Sequence, residues 1–305
     1  MSQTDNDAWA AIFFDIEQKS GSKLERPHCR SVGGGSINSA WIVDSGELQY
    51  FVKTNRADRL EMFIAESEGL NEMIESQNGN HPDRLHIPAP VCVGVAGHSS
   101  YIAMEYLAVG SGNSNSMVQL GRALARMHRQ SQTQFGWHRD NTIGSTPQPN
   151  NRESSWIEFY RQHRLGFQLE LAGKNGADRR TLERGLRLSE DLDGFFQQYQ
   201  PMASLLHGDL WSGNYAILTS GDPAIFDPAV YYGDREADLA MTELFGGFSR
   251  DFYSAYNEAW PIDTGYKTRK NLYNLYHILN HFNLFGGGYL GQATHTIDSL
   301  LAELN

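Results

Sequence analysis

The chain reads as an α+β protein of two lobes, a small antiparallel-sheet lobe over residues 1–107 and a mainly helical lobe over residues 108–305. Three observations predict this division. Short β-branched and aromatic runs, separated by turn residues, crowd the first third of the sequence. Apolar residues at helical spacing dominate the remainder. Between them lies Ser111-Gly112-Asn113-Ser114-Asn115-Ser116, a small polar stretch suited to a domain boundary.

Taken in order, Ala8, Trp9, Ile12, Phe13 and Ile16 recur at helical spacing and predict an amphipathic first helix packed on the small lobe. A segment bearing Gly33, Gly34, Gly35 and Ser36 leads into two strand-like runs, 40–43 and 50–53, joined by Asp44-Ser45-Gly46. Residues 59–74 predict a helix with Leu60, Phe63, Ile64, Leu70, Met73 and Ile74 as its apolar positions. Glu61, Glu66, Glu68, Glu72 and Glu75 surround that stripe; one is expected to face the lysine at position 53 and the others to face solvent. Residues 91–95 and 101–105 form a last strand pair around Gly97-His98. Helices are expected over 118–128, 156–171, 179–199, 235–245, 251–260 and 266–285. No internal repeat is visible.

The chemistry concentrates in His207-Gly208-Asp209-Leu210-Trp211-Ser212-Gly213-Asn214, followed by Ile225-Phe226-Asp227. Asp209 and Asn214 stand five positions apart, the spacing of the aspartate and asparagine in a phosphoryl-transfer loop. An aspartate can take a proton from an acceptor hydroxyl, while an asparagine and a second aspartate can hold magnesium. Residues 215–218 and 224–226 read as two short strands about the turn 219–223, a hairpin that would return Asp227 beside Asn214. The glycine-rich segment suits a lid over ATP phosphates, because backbone amides approach an anion closely only where no side chain intervenes. Lys53, at the end of its strand, stands where a kinase places the lysine that contacts the phosphates. Glu105, Tyr106 and Leu107 are expected as the hinge whose backbone groups read the adenine edge.

A chain of 305 residues with 40% hydrophobic and 20% charged residues can bury one large core or two lobes. The net charge of −11 counts against a nucleic-acid partner, which requires a basic footprint. No apolar run of membrane-spanning length and no signal-peptide pattern appears, so a cytoplasmic protein without a membrane partner is expected. Cys29 and Cys92 are the only cysteines and lack metal-site spacing; both are expected as plain thiols.

The sequence closely resembles the fructosamine/ketosamine 3-kinase family over nearly its whole length. The resemblance is carried by Gly33-Gly34-Gly35-Ser36-Ile37, Val52-Lys53, Met62-Phe63 with Glu66, and Phe135-Gly136-Trp137-His138. It continues in Asp140-Asn141, Ile143-Gly144-Ser145-Thr146-Pro147-Gln148 with Asn150, Leu206 to Asn214, Phe226-Asp227-Pro228-Ala229, Phe245-Gly246-Gly247-Phe248 and Leu279-Asn280-His281. It implies a protein-kinase-like fold, ATP and Mg²⁺ as co-reactants, and phosphorylation of a ketoamine on its third-carbon hydroxyl in the removal of glycation adducts. The substrate would be a small-molecule or lysine-linked ketoamine, with ribulosamines and erythrulosamines favoured over fructosamines in bacterial-type members. The same comparison selects Glu66, with Glu68 as the alternative, to orient Lys53. Some relatives carry cysteine where this chain has Ser36, so a redox switch through that loop is not expected.

Under this reading Asp209 is the catalytic base, Asn214 and Asp227 hold the metal, and Trp211 with Asn280, His281 and Asn283 forms the acceptor site. Trp211 stands where protein kinases hold a lysine two residues past the catalytic aspartate, and a flat aromatic surface suits a sugar or an amine-bearing carbon chain. His207 is expected to brace the loop, while His138, Asp140 and Asn141 either close the acceptor pocket or cap a loop. A monomer is expected rather than an obligate oligomer. Two other readings stay open: an aminoglycoside- or choline-type phosphotransferase, and a noncatalytic pseudokinase, against which the presence of Lys53, Asp209, Asn214 and Asp227 counts.

Overall fold

A computed structural model describes residues 3–33, 37–77, 83 and 85–304; Gly34, Gly35 and Ser36 of the expected phosphate lid lie outside the described residues. The small lobe opens with helix α1 (Gln3–Ser20), then strands β1 (His28–Val32), β2 (Ser39–Ser45) and β3 (Leu48–Arg56). Helix α2 (Leu60–Ser76) follows, and β4 (Pro90–Ala96) and β5 (Ser99–Glu105) complete an antiparallel sheet of order β1-β2-β3-β5-β4.

Strand alternation divides the sheet between two cores. Tyr50, Val52, Tyr101 and Ala103 point to one face, where Trp9, Ile12 and Ile16 of α1 cover them. Ile102 and Met104 point to the other and join Phe63, Leu70 and Met73 of α2. Phe51 and Lys53 share that second face by the same two-residue period, which brings the lysine to the cleft. β1, absent from the sequence reading, pairs along β2, with Arg30 opposite Ile42.

The large lobe begins at α3 (Ser114–His128), four residues earlier than expected. Asn113 accepts from the Ser116 N–H and so caps the helix inside the stretch read as a boundary loop. Next come the hairpin β6 (Asn141–Ile143) and β7 (Thr146–Gln148), then α4 (Trp156–Tyr160) and α5 (Phe167–Lys174). The single helix expected over 156–171 is interrupted by a π turn at Arg161–Gly166, which swings the fully buried Arg164 inward. α6 (Arg179–Glu190) stops nine residues short of the expected 199, because Asp191 leaves helical geometry and a 3₁₀ turn occupies Leu192–Phe195. β8 (Ser204–Leu206), β9 (Tyr215–Ile217), β10 (Pro223–Ile225) and β11 (Tyr231–Gly233) form two small ladders, β9 with β10 and β8 with β11. α7 (Glu236–Leu244), α8 (Arg250–Ala259), α9 (Tyr266–Phe285) and α10 (Tyr289–Glu303) complete the chain, α10 being a helix the sequence reading did not assign.

Cys29 and Cys92 are free, and burial, followed by the nearby Asp15, pushes the Cys92 thiol up to about 12, so it stays unreactive at neutral pH. No described helix is long and apolar enough to cross a membrane. α3 and α8 meet at Gly121, where an added Cβ would lie 2.4 Å from the Phe252 carbonyl oxygen and 3.0 Å from the Tyr256 nitrogen. Those obstacles are backbone, so they cannot rotate away. Gly121→Ala is therefore expected to destabilise the chain by about 1–3 kcal/mol, as overpacking does, read by urea unfolding; an unchanged midpoint would show that the helices separate freely.

Candidate active site

The cleft beneath the sheet is a cavity of about 700 Å³ whose lining includes Lys53, Glu66, Asp209, Trp211, Asn214, Asp227, Asn280 and His281. The loop that supplies Asp209 hangs from a buried carboxylate that the sequence reading missed. Asp238, in the first turn of α7, accepts from the backbone N–H of His207 at 2.7 Å and of Gly208 at 2.8 Å. His128 lies 3.1 Å from the same carboxylate and 2.8 Å from the Tyr256 hydroxyl. Burial opposes a charge on Asp238, but His128, His207 and the Gly208 N–H outweigh it and hold the carboxyl below its usual range. A signal was present: Asp238 is a lone acid within Ala237, Leu239, Ala240 and Met241.

His207 braces the loop, as expected. Its Nδ1 accepts from the Asp209 N–H and its Nε2 donates to the Phe226 carbonyl at 2.9 Å, the pattern of a neutral ring. Burial lowers its pKa in keeping with that state. Gly208 has φ 82°, and a Cβ there would stand 2.0 Å from the Ala229 oxygen, so only glycine lets the loop pass this close to the chain after Asp227.

The β9–β10 hairpin brings Asp227 back to Asn214, sealed by the Phe226 N–H donating to the Asn214 carbonyl at 3.1 Å. The Asn214 amide nitrogen donates to the Asp209 backbone and carboxylate at 2.8 and 3.3 Å, which leaves Oδ1 as its cation-facing atom. Asp227 adopts φ 59°, a conformation rare outside glycine and concentrated at functional sites. Its side chain is 45% exposed to the cleft, against 7% for Lys53. Lys53 Nζ lies 2.5 Å from both Glu66 Oε1 and Asp227 Oδ1. Burial works against the ammonium, yet Asp227 and Glu66 together raise its pKa and keep it charged.

Asn214 Oδ1 and the Asp227 carboxylate are hard oxygen donors of the kind magnesium takes. Among the described residues there is no cluster of three or more His, Cys, Asp or Glu that could hold a metal, so these two residues would leave most of a magnesium shell to water and phosphate oxygens. The donor set therefore fits a nucleotide-borne magnesium ion.

Elsewhere on the cavity lining, Trp211 is 38% exposed and meets Phe245 edge-on, which in turn contacts the His281 ring at 4.7 Å. Gly213 makes room for Trp211, since a Cβ there would stand 2.3 Å from the indole. His281 donates from Nδ1 to the His277 carbonyl at 2.8 Å, and burial lowers its pKa, so Nε2 is left as a neutral acceptor. Asn280 also lines the cavity, but Asn283 does not; its amide is turned to Gln168. The hinge residues are likewise set apart. Glu105, Tyr106 and Leu107 lie outside the cavity lining, and the Glu105 carboxylate is bound to His86 at 2.9 Å and to the Ala89 N–H at 3.3 Å.

The Ser-Thr-Pro-Gln segment acts behind the site. Gln148 and Asn141 donate to the carbonyls of Ala229 and Val230, immediately after Asp227, at 3.1 and 2.8 Å. Asn150 ties both Asn141 and Arg164 into this lattice, and Asp140 accepts from the Asn150 N–H, which makes Asp140 and Asn141 loop staples. His138 reaches Glu68 instead of the acceptor pocket. Glu68, the alternative partner for Lys53, is thereby committed elsewhere.

Fold and site together define a kinase-like phosphotransferase. A model of the fructosamine kinase family matches residues 8–303, and the chain belongs to that family. It is 47% identical to a protein of Synechocystis sp. named "Probable ketoamine kinase", over 96% of this chain and 97% of that one. It is 43% identical to the chloroplastic protein-ribulosamine 3-kinase of Oryza sativa subsp. japonica, over 90% of this chain and 79% of that one. A crystal structure from Haemophilus somnus, provisionally described as a fructosamine-3-kinase, superposes with a TM-score of 0.89 at 25% identity, covering 98% of this chain and all of that one.

Burial, and then the charge of Asp227, pushes the Asp209 carboxyl from 3.8 to about 7. Between those values the folded chain holds a proton that the unfolded chain has lost, so stability falls as pH rises through that window. Asp209→Asn removes the ionisation and keeps the shape. In nucleotide-free protein the variant is expected to melt above wild type at pH 8, with the difference closing toward pH 4 in thermal scans. A gap that widens on acidification would reverse the assignment.

Proposed function

We propose that this chain transfers the γ-phosphoryl group of ATP to the 3-hydroxyl of a ketosamine, a ribulosamine, erythrulosamine or fructosamine adduct, in the reversal of early glycation. The observation that supports the proposal is one cavity lined together by Asp209, by Lys53, Asn214 and Asp227, and by the aromatic Trp211. The names of the relatives supply the substrate class.

Asp209 accepts the hydrogen bond of the acceptor hydroxyl and takes its proton as that oxygen forms a bond to the γ-phosphorus. The bond from the γ-phosphorus to the β,γ-bridging oxygen breaks, and ADP departs. Lys53, fixed by Glu66, neutralises phosphate charge. Asn214 and Asp227 would hold magnesium, which when bound offsets charge on the phosphate oxygens. Trp211 gives the sugar carbons a flat face, and His281 Nε2 can accept from a sugar hydroxyl. The expected glycine lid, Gly33 to Ser36, and the hinge at Glu105, Tyr106 and Leu107 are assigned to the nucleotide on sequence position, and ATP is the donor they suit.

The test is ATP- and Mg²⁺-dependent transfer by purified protein to ribulose-lysine, fructose-lysine and an aminoglycoside. Ketoamine phosphorylation is expected, with ribulose-lysine preferred, and Asp209→Asn should reduce kcat by at least about a hundredfold, the usual worth of a positioned base. Transfer to the aminoglycoside alone would overturn the proposal. Lys53→Met is expected to lower kcat/KM for ATP by roughly ten- to a thousandfold with the fold retained, the scale of one lost charge-stabilising donor; unchanged efficiency would remove the lysine from the site.

A further inference from the structure

α2 belongs to the small lobe by sequence, yet its acidic face is fastened to the large one. Glu61, Glu68 and Glu72 are separated by seven and four residues and so share one stripe of the helix. Glu66 lies about 200° round the axis from Glu68, facing Lys53. The sequence predicts that most of these glutamates face solvent, with Glu68 as an alternative partner of Lys53; instead the stripe meets residues 137–139 and β11.

Glu72 Oε2 accepts from Trp137 Nε1 at 2.5 Å, and Oε1 accepts from the Tyr232 hydroxyl at 2.7 Å. Glu68 takes Arg139 and His138, each at 2.8 Å, and Glu61 takes Arg139 at 2.5 Å. These attachments differ in weight. The Glu61 carboxylate is 77% exposed and that of Glu68 is 40% exposed, so water screens them. Trp137 and Tyr232 are only 4% and 7% exposed, and their donors would be left without partners if Glu72 withdrew. Gly69, one turn before Glu72, lets the helix lie against the same wall: a Cβ there would stand 2.9 Å from Val230 Cγ2. Val230 follows Asp227 by three residues and its carbonyl is held by Asn141, so the wall against α2 belongs to the segment that runs on from Asp227.

We propose that Glu72 is a positioning residue for phosphoryl transfer: through Trp137 and Tyr232 it holds α2 on the large lobe and thereby keeps Glu66 on Lys53. The lysine is then oriented by the chain's own fold, with no phosphorylation or partner required to swing the helix in. This inference rests on the ATP-dependent reading of the cleft.

Two readouts on the full-length chain test it, neither of which uses an acceptor sugar. Affinity for a fluorescent ATP analogue with Mg²⁺ is measured in wild type, Glu72→Ala, Glu66→Ala and the double variant. Glu72→Ala is expected to weaken binding roughly five- to tenfold in the wild-type background and less than about twofold once Glu66 is gone, since residues acting through one contact are not additive. Hydrogen exchange, which needs no nucleotide, should show the amides of α2 opening at least about tenfold faster in Glu72→Ala while those of α9 are unchanged. Tyr232→Phe, which removes a single hydroxyl, should move both readouts the same way by a smaller factor and serves if the alanine variant fails to fold. Equal losses in both backgrounds, or α2 exchange unaltered, would overturn the proposal. A wrong acceptor assignment would leave both readouts intact and show only in the transfer assay.

Discussion

The rest of the site depends on one buried ammonium. Lys53 is almost wholly withdrawn from water, and a lone charge there would be untenable, so the fold must deliver carboxylates to it. Glu66 comes from α2 and Asp227 from the far end of the β9–β10 hairpin, 174 positions along the chain. Satisfying one cation thus fixes the distance between sheet, helix and hairpin at once. The partners are not equivalent. Glu66 is nearly as enclosed as the lysine, whereas the Asp227 side chain opens to the cleft.

Around this pair the large lobe supplies rigidity through hydrogen bonds to backbone. Asp238 holds the loop before Asp209, His207 ties that loop to Phe226, and Gln148 with Asn141 holds the carbonyls after Asp227. Asp238, His207 and Gln148 are buried and Asn141 half-buried, each with its partner in place, and such groups specify a single geometry because any displacement leaves a donor or acceptor unmatched. Asp209 itself sits at the edge of this lattice with a raised pKa. A base that takes a proton near neutrality is also a carboxylate that the apo fold ionises at a cost, so function and stability pull in opposite directions at one atom group.

What was legible in the sequence was local. The strand ending at Lys53, with an acid-rich helix next in order, implied a lysine facing one of the glutamates, and the turn at 219–223 implied the hairpin that returns Asp227 to Asn214, because both follow from short-range periodicity and turn chemistry. The unseen parts are long-range. Asp238 serves a loop 30 residues earlier, and Glu72 meets donors 65 and 160 residues later; no periodicity links such positions. The π turn at Arg161–Gly166 escaped for a related reason, since the apolar spacing continues through it while Arg164 is drawn inward by Asn150. The expected hinge was read from order along the chain alone: Glu105 closes β5, Tyr106 and Leu107 follow it, and none of the three is among the residues lining the cavity.

The distribution of charge within the cleft narrows the acceptor. Among the described residues its only carboxylates are Glu66, Asp209 and Asp227, all of them tied to the lysine, the base or the cation site. Beyond Asp209 the lining turns to Trp211, Phe245, Asn280, His281, Phe285 and Tyr289, aromatic faces with neutral hydrogen-bonding groups between them. A polycationic antibiotic would enter that wall without counter-charges and would have to shed water from several ammonium groups for no compensating pair. A ketoamine carries one amine beside a run of hydroxyls and carbon. Under the proposed function its hydroxyls would meet Asn280 and His281 and its carbon faces the Trp211 indole, and its single charge would stay toward solvent. Under that proposal the wall would select by what it lacks as much as by what it offers, the usual way a neutral pocket discriminates against highly charged competitors.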